Sequence, residues 1–428
     1  MSNQHYLHAV TELGDTRKIV ALCDIYSQSG IKLVASGTKI TSGLYDRLVK
    51  HKLKVDPDKV LSVENMLGGE GLLADLLELI EGNDKLKKVA HFIDQGNSYR
   101  QIISDIRLPA ALWFKLTVAR EKFPRIYRHS LLMMVICIYL ARCDKLSRAE
   151  EVCVALAALC HDFGLLHVDP MLLDPSHVMC DVERRHLYVH PMTAYLLLSE
   201  FPELPKSIAD AVLEHHERMD GSGYPRSLRD GKISRYGQIL AVSEVVTKAF
   251  DADMLSIPWS KPEVMLKLNS KKFGQNLIGH LNIFRDDVTD VPANVNEPER
   301  LNKQVRSIAR LFENFNRHAA VLRGAQIFDF AQTRMSELMQ SLFDAGLDPR
   351  DPDALIRMFM DDPECMAEYA PLLEETLWQL KTLAFEIARQ WPEVLDKPGN
   401  ESKKSKHAWF WEMKLALSEA DSDEQPLS

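Results

Sequence analysis

The sequence contains no CxxC motif, and its seven cysteines are scattered over 428 residues. Metal-binding or redox cysteine pairs are therefore not expected. Thiols that stand singly, mostly in apolar runs, are typical of reduced and buried side chains. We predict no disulfides and a cytoplasmic location, because disulfides persist mainly in oxidising compartments.

An excess of positive charge is also absent. The formal net charge is -9 and the isoelectric point is about 5.9. Binding to a nucleic-acid polymer needs a strongly basic face, so we predict no such partner. A small anionic ligand in a local basic pocket stays compatible with this composition.

Long hydrophobic segments are missing as well. Residues 1–17 are mixed and polar, unlike a signal peptide. The most apolar run, residues 131–141, lies between Arg128 and Arg142 and is too short to cross a bilayer. We predict that it forms a buried core helix and that the protein has no membrane partner.

The length of the chain predicts two or three domains. The alternation of apolar runs indicates a mainly α protein. We predict an N-terminal α+β regulatory module with connecting helices (1–110), a central all-α domain (111–286), a C-terminal α-helical domain (287–418) and a disordered acidic tail (419–428).

Two segments outside the central domain have readable patterns. Residues 18–26 and 31–35 flank Gly30, which predicts a hairpin, and Thr41 or Ser42 is placed to cap the helix that follows. The C-terminal helical runs (298–343 with a break at Gly324, 352–361, 363–391 and 406–417) are consistent with an intramolecular bundle or with a homodimer.

The most informative stretch is LEHHERMDGSGYP, residues 213–225. His215 and His216 end an apolar helical run, and the glycines that follow indicate a tight loop. A helix that brings two imidazoles to such a loop is expected to form half of a metal site.

Eight of the fifteen histidines fall between residues 129 and 216. Side chains at the ends of several antiparallel helices can converge, as they do in metal sites of helical bundles. His167, His177 and His186 are interpreted as structural residues. The others are His129, His161, His190, His215 and His216.

Asp162 directly follows His161, so the imidazole can bind one ion while the carboxylate bridges to a second. Imidazole-rich sites suit iron, manganese, nickel or zinc better than magnesium or calcium. Two such ions can share a hydroxide that attacks a phosphoester, so phosphoester hydrolysis is the predicted reaction.

The ordered set H…HD…H…HH followed by DGSGYP resembles the HD-GYP domain. This is the branch of the HD phosphohydrolase superfamily that is associated with hydrolysis of the bacterial second messenger cyclic di-GMP. The resemblance covers roughly residues 120–285. It implies two divalent metal ions, Fe or Mn, and the ligands His129, His161, Asp162, His190, His215, His216 and Glu244, the last in AVSEVVTKA (241–249).

By the same resemblance, the protein hydrolyses cyclic di-GMP to linear pGpG or to GMP. His161 and Asp162 would be catalytic residues, with the hydroxide held between the metals as nucleophile. The candidate substrate-binding residues are Arg218, Asp220, Gly221, Gly223, Tyr224 and Arg226.

Three departures from the family pattern leave an alternative open. Leu165 stands where a lysine would face the phosphates, Arg125 replaces the glutamate of trinuclear members, and 251–259 replaces a basic segment. Because Arg125 stands at that position, the site is expected to be binuclear. The alternative is a weak or inactive domain that senses cyclic di-GMP, or that docks signalling proteins through an exposed Tyr224-Pro225 turn. Hydrolysis of a mononucleotide or a guanosine polyphosphate is a third hypothesis.

Overall fold

The computed structural model describes residues 4–94, 98–174, 177, 181–247, 250, 273, 275–284, 297–322, 326–344, 346–361, 363–395 and 406–420. The fold is mainly α with two small N-terminal sheets, which confirms the predicted class. The chain forms two compact units, one of residues 1–257 and 269–285 and the other of residues 258–268 and 286–428.

The N-terminal part of the first unit contains six helices and five short strands. The helices are α1 Gln4–Thr16, α2 Tyr45–Val49, α3 Pro57–Val60, α4 Gly69–Glu81, α5 Asp84–Asp94 and α6 Ser98–Asp105. The strands are β1 Ile19–Ala21, β2 Ile25–Tyr26, β3 Lys32–Val34, β4 Lys39–Ile40 and β5 Leu61–Val63. Strands β4, β1 and β5 form one antiparallel sheet, and β2 pairs with β3 in another.

The predicted hairpin is only partly formed. Strands β2 and β3 pair around Gly30, which has a φ of 84° in the left-handed region that glycine favours. The first part of the predicted strand instead forms β1, because the fully buried Ile19 lies opposite Ile40 on one side and Val63 on the other. The predicted long strand is therefore split between two sheets.

The helix predicted to start at Thr41 or Ser42 is also shorter than expected. A 3-10 turn, Ser42–Leu44, leads into α2, and the Thr41 side chain makes no capping bond. Asp15 of α1 accepts the hydrogen bond from the Ser42 N–H at 3.1 Å instead. The Asp15 carboxylate, which is distant in sequence, thus accepts the N–H bond that the sequence pattern assigned to a capping side chain at Thr41 or Ser42.

The central part of the first unit is built of helices. They are α7 Ala110–Lys122, α8 Pro124–Cys143, α9 Arg148–Cys160, α10 Asp181–Leu187, α11 His190–Ser199, α12 Lys206–Glu214, α13 Arg235–Thr247 and α14 Gln275–Ile278. Helix α9 starts with a capping box in which the Ser147 N–H and hydroxyl both bond to Glu150. It ends at Cys160, so the next residue, His161, lies at its C-terminal end.

The apolar run 131–141 belongs to the longer helix α8, which has 20 residues. By length and composition α8 is apolar enough to cross a membrane, but 72% of its apolar window is buried inside the protein. Every residue from Ser130 to Ala141 is buried. A helix that is apolar on all sides and enclosed by neighbours is the core helix that the sequence predicted.

The second unit is a set of helices around its own core. They are α15 Glu297–Leu322, α16 Gln326–Asp344, α17 Pro352–Asp361, α18 Pro363–Gln390 and α19 Lys406–Ala420. Phe315 stacks on Phe328, and Trp409 is almost fully buried. Helix α19 includes the first two residues of the predicted tail, and residues 421–428 lie outside the described part of the chain.

The five cysteines whose side chains the structure describes are all free. Cys137 and Cys160 are buried and Cys143 and Cys153 are partly buried, but Cys23 is exposed. The prediction of buried thiols is therefore wrong for Cys23, which lies in the bend between β1 and β2 rather than in an apolar helix.

Candidate metal centre

Asp162 lies at the centre of a group of histidines, of which His129 lies in the second turn of α8 and the others lie at the ends of α9, α11 and α12. Its Oδ2 atom lies 3.2 Å from His161 Nε2 and 3.9 Å from His129 Nε2. Its Oδ1 atom lies 3.3 Å from His190 Nε2 and 3.9 Å from His215 Nε2. One carboxylate therefore faces two pairs of imidazoles, one pair with each oxygen.

Glu244 of α13 supplies a second carboxylate. Its Oε2 atom lies 3.0 Å from His129 Nε2 and 3.8 Å from His161 Nε2. Glu244 is only 8% exposed, so it is held inside the fold beside the same two histidines that face one oxygen of Asp162. Glu244 is therefore a further potential ligand beside His129 and His161.

The potential ligands form two groups, and within each group the ligand atoms lie within 4.8 Å of one another. One group is His129, His161 and Asp162, and the other is His190, His215 and His216. Asp162 contacts both groups and Glu244 adjoins the first. The structure thus brings together all seven residues that were predicted as metal ligands.

Three of the imidazoles are oriented in the same way. In each, Nδ1 donates a hydrogen bond to the carbonyl three residues earlier. The bonds are His161 to Ala158 (2.7 Å), His190 to Leu187 (2.8 Å) and His215 to Val212 (2.6 Å). A carbonyl oxygen can only accept, so Nδ1 carries the proton and Nε2 presents its lone pair to the centre.

This orientation explains why the histidines occur at helix ends. His161 and His215 are the C-terminal capping residues of α9 and α12. The last carbonyls of a helix have no partner within the helix, so a histidine there finds an acceptor for Nδ1. The bond fixes the orientation of the ring, as hydrogen bonds from ligand histidines to carbonyls and carboxylates do in metal sites.

The inward-facing Nε2 atoms of His161, His190 and His215 carry no proton, so they cannot donate hydrogen bonds to one another. His190 Nε2 and His215 Nε2 are 3.2 Å apart, although both rings carry their proton on Nδ1. His161 Nε2 is buried and has no hydrogen-bond partner among the residues that the structure describes. Facing lone pairs of this kind are costly unless a cation lies between them, so the residues fit a metal ion.

The protonation states agree with this fit. Burial, reinforced by the neighbouring His161 and His190, lowers the pKa of His215 to about 3. Burial also lowers the pKa of His216 well below its ordinary value. Neutral imidazoles and an ionised carboxylate are the forms that ligate metals.

Gly164 allows the segment after Asp162 to reach the second group. A Cβ atom on Gly164 would lie 2.1 Å from the carbonyl oxygen of His190. The 3-10 turn Phe163–His167, which begins after Asp162, therefore packs directly on the backbone of His190. Glycine is required here because of this close approach.

The loop after the histidine pair is also shaped by glycine. A Cβ on Gly223 would lie 2.4 Å from Glu217 Cα, and Gly221 has a φ of 80°. Asp220 Oδ1 accepts bonds from the Ser222 N–H at 2.9 Å and its hydroxyl at 2.6 Å. Asp220, Gly221 and Gly223, which were predicted to bind substrate, thus determine the conformation of the loop.

Two glutamates that the sequence analysis missed hold this loop. Glu217 is fully buried, and its two oxygens accept bonds from the N–H groups of Arg226 at 2.6 Å and Leu228 at 2.8 Å. Glu214 Oε1 lies 2.7 Å from Arg226 Nη2. The signal was present in LEHHE, where an acid flanks the histidine pair on each side. Arg226 was predicted to bind substrate, but its guanidinium pairs with Glu214.

Tyr224 and Pro225 are partly buried, so the prediction of an exposed turn is wrong. The Tyr224 ring is stacked between Tyr188 and His216, with centroid distances of 4.2 and 4.6 Å.

Arg218 lies over the Phe273 ring at 4.5 Å and donates to the Glu217 carbonyl at 2.8 Å. Burial lowers the pKa of Arg218, although Tyr224 and Glu244 oppose this effect.

The histidines interpreted as structural lie outside the two ligand groups that the described residues form. His177 Nε2 lies 3.2 Å from Glu183, His186 is exposed, and His167 packs against Tyr6. Arg125 is exposed and Leu165 is partly buried. The altered segment 251–259 lies outside the described residues.

Comparisons with known proteins match the same part of the chain. The family model of the HD domain matches residues 116–260. A cyclic di-GMP phosphodiesterase of Pseudomonas aeruginosa is 31% identical over 135 residues, 32% of each chain. A 3'3'-cGAMP-specific phosphodiesterase of Vibrio cholerae is 30% identical over 135 residues, 32% of this chain and 28% of that protein.

A cyclic di-GMP phosphodiesterase of Thermotoga maritima is 30% identical over 148 residues, 32% of this chain and 39% of that protein. The match therefore spans about a third of the length of these relatives. The family model places an HD domain at residues 116–260, and the names of these relatives support its HD-GYP branch.

Proposed function

We propose that the protein is a metal-dependent phosphodiesterase that hydrolyses cyclic di-GMP to linear pGpG or GMP in the bacterial cytoplasm. The observation that carries this proposal is the pair of ligand groups joined by Asp162. Relatives named as cyclic di-GMP phosphodiesterases support this choice of substrate.

The proposed site holds two divalent ions, Fe or Mn. His129, His161 and Glu244 would hold one ion and His190, His215 and His216 the other, with Asp162 shared between them. Bound ions of this kind supply a nucleophile from water at neutral pH and stabilise negative charge on phosphoryl oxygens.

The protein's own residues then have distinct roles. Asp162 lies between the two groups and turns one carboxylate oxygen toward each. The carbonyl bonds of His161, His190 and His215 keep each Nε2 aimed inward. Arg218 is the basic side chain that we assign to the substrate phosphates, because it follows the His215-His216 pair by two residues and Arg226 is engaged by Glu214.

Turnover of cyclic di-GMP by anaerobically purified protein, loaded with Fe or Mn, tests the proposal. We expect linear product from the parent protein and none from Asp162→Asn. Asp169→Asn is the matched control, because Asp169 only caps the following 3-10 turn Pro170–Leu173. Tight binding of cyclic di-GMP by the parent protein without turnover would overturn the enzyme proposal.

A cyclic di-GMP sensor is the second candidate. It is favoured by Leu165, which places a partly buried apolar side chain where the family pattern has a lysine. Binding without turnover, together with intact metal content, is the result that this candidate predicts. A panel with 3'3'-cGAMP, mononucleotides and guanosine polyphosphates in the same assay identifies the preferred substrate class.

A further inference from the structure

A buried cation lies outside the metal centre. Lys115 of α7 is 2% exposed, and its Nζ atom lies 2.6 Å from Asp58 Oδ2 of α3. The same Nζ lies 3.7 Å from the centroid of the Tyr6 ring of α1 and 3.4 Å from His167 Nε2. The Tyr6 hydroxyl donates to Asp58 Oδ1 at 2.5 Å. We call these four residues the Lys115 cluster.

The cluster depends on the N-terminal part of the chain. A buried ammonium group is costly unless a counter-charge is bonded to it, and Asp58 provides that charge. Tyr6 and Asp58 both lie before residue 116, where the HD domain match begins. Helices α1 and α3 therefore complete the environment that keeps Lys115 buried.

The cluster connects to the metal centre through one short turn. His167 ends the 3-10 turn Phe163–His167, and Asp162 directly precedes that turn. The Asp162 carbonyl accepts the Leu165 N–H at 2.9 Å, and Gly164 packs on the backbone of His190. Contacts at the end of this turn therefore constrain Asp162 and His190 at its beginning.

We propose that the Lys115 cluster positions Asp162 and His190, so that docking of α1 and α3 sets the metal affinity of the centre. The proposal rests on the proposed metal site. Loss of the Asp58 charge leaves the Lys115 ammonium without its counter-charge and disturbs its contact with His167. The turn that follows Asp162 then moves. The N-terminal segment thereby regulates the centre without contributing a ligand.

The test measures Mn²⁺ binding to the full-length, metal-free protein by titration calorimetry. Asp58→Asn keeps the side-chain shape but removes the counter-charge, and we expect about tenfold weaker Mn²⁺ binding, or about 1.4 kcal/mol. Asp75→Asn is the matched control. Asp75 also joins the N-terminal segment to the central helices, through Arg120 Nη2 at 2.6 Å and the Tyr127 hydroxyl at 2.7 Å. We expect its Mn²⁺ affinity to equal that of the parent.

A triple variant, Tyr6→Phe/Asp58→Leu/Lys115→Met, separates positioning from stability. An apolar replacement of a buried ion pair is often tolerated, so we expect this variant to fold. It lacks the ammonium that contacts His167, so Mn²⁺ binding should stay about tenfold weaker. Parental Mn²⁺ affinity in the folded Asp58 variants would overturn the inference. Absence of Mn²⁺ binding by the parent protein would overturn the proposed metal site instead.

Discussion

Tyr224 holds His216 by two different contacts. The Tyr224 N–H donates to the His216 carbonyl at 3.1 Å, and its ring covers the His216 imidazole with 21° between the planes. Among the described residues, His216 lacks the Nδ1–carbonyl bond that orients His161, His190 and His215. Stacking by Tyr224 therefore takes the place of that bond.

We expect Tyr224→Ala to weaken binding of one Mn²⁺ ion about tenfold, because His216 loses the ring that orients it. Tyr224→Phe keeps the stacked ring and should bind Mn²⁺ as the parent does. Titration calorimetry of metal-free protein distinguishes the two variants. Equal Mn²⁺ binding by Tyr224→Ala and the parent would show that the stack does not position His216.

Glu217→Gln tests how the glycine loop is held. The buried carboxylate accepts two backbone N–H bonds, whereas a glutamine places an NH₂ group against one of these donors. We expect the free energy of unfolding to fall by about 2–3 kcal/mol in urea titrations. The exposed Glu203 gives the control Glu203→Gln, which should change stability by less than about 0.5 kcal/mol. A similar small change for Glu217→Gln would contradict this role.

Leu165→Lys tests the clearest departure from the family pattern in the described residues. A cation on the 3-10 turn beside Asp162 should strengthen binding of the substrate phosphates. We expect the KM for cyclic di-GMP to fall about tenfold, with Leu165→Met unchanged as the control. An unchanged KM in Leu165→Lys would show that this position does not face the phosphates.

Acid should destabilise the metal-free protein. Burial holds the pKa values of His167, His215 and His216 below the value of about 6.5 that an unfolded histidine has. Below pH 6.5 the unfolded chain binds more protons at these positions. The free energy of unfolding should therefore decrease as the pH is lowered, by up to about 1.4 kcal/mol per pH unit for each histidine.

One group acts in the opposite direction. Burial raises the pKa of Asp58 to about 6, so this carboxyl favours the folded state as the pH falls below that value. Because three histidines oppose this one carboxyl, the free energy of unfolding should still fall as the pH falls. Urea titrations of chelator-treated protein at pH 7.5, 6.5 and 5.5 measure the slope. His167→Gln should flatten it, and a flat profile for the parent would contradict the assignment of neutral buried histidines.

The sequence predicted the residues of the centre better than it predicted the loop that borders it. The spacing of His161, Asp162, His190 and His215 is a local pattern at helix ends, so it could be recognised without coordinates. The roles of Glu214 and Arg226 could not, because their ion pair depends on how the loop folds back on α12. Burial of Tyr224 likewise depends on Tyr188, which is distant in sequence.

The same distinction applies to the fold. Helices α15 to α19 follow from apolar periodicity along the chain. The position of β1 does not, because Ile19 pairs with Ile40 and Val63 through contacts that a local pattern does not encode. The Lys115 cluster is a further example, since the partners of Lys115 come from α1, α3 and the turn at His167.

The metal content of anaerobically purified protein, measured by plasma mass spectrometry, tests the central claim most directly. The two ligand groups joined by Asp162 predict two Fe or Mn ions per chain in the parent protein. In folded Asp162→Asn they predict fewer than about one ion, because both groups lose the shared carboxylate. A metal-free parent protein that stays empty when Fe or Mn is supplied, or two ions retained in Asp162→Asn, would contradict the account.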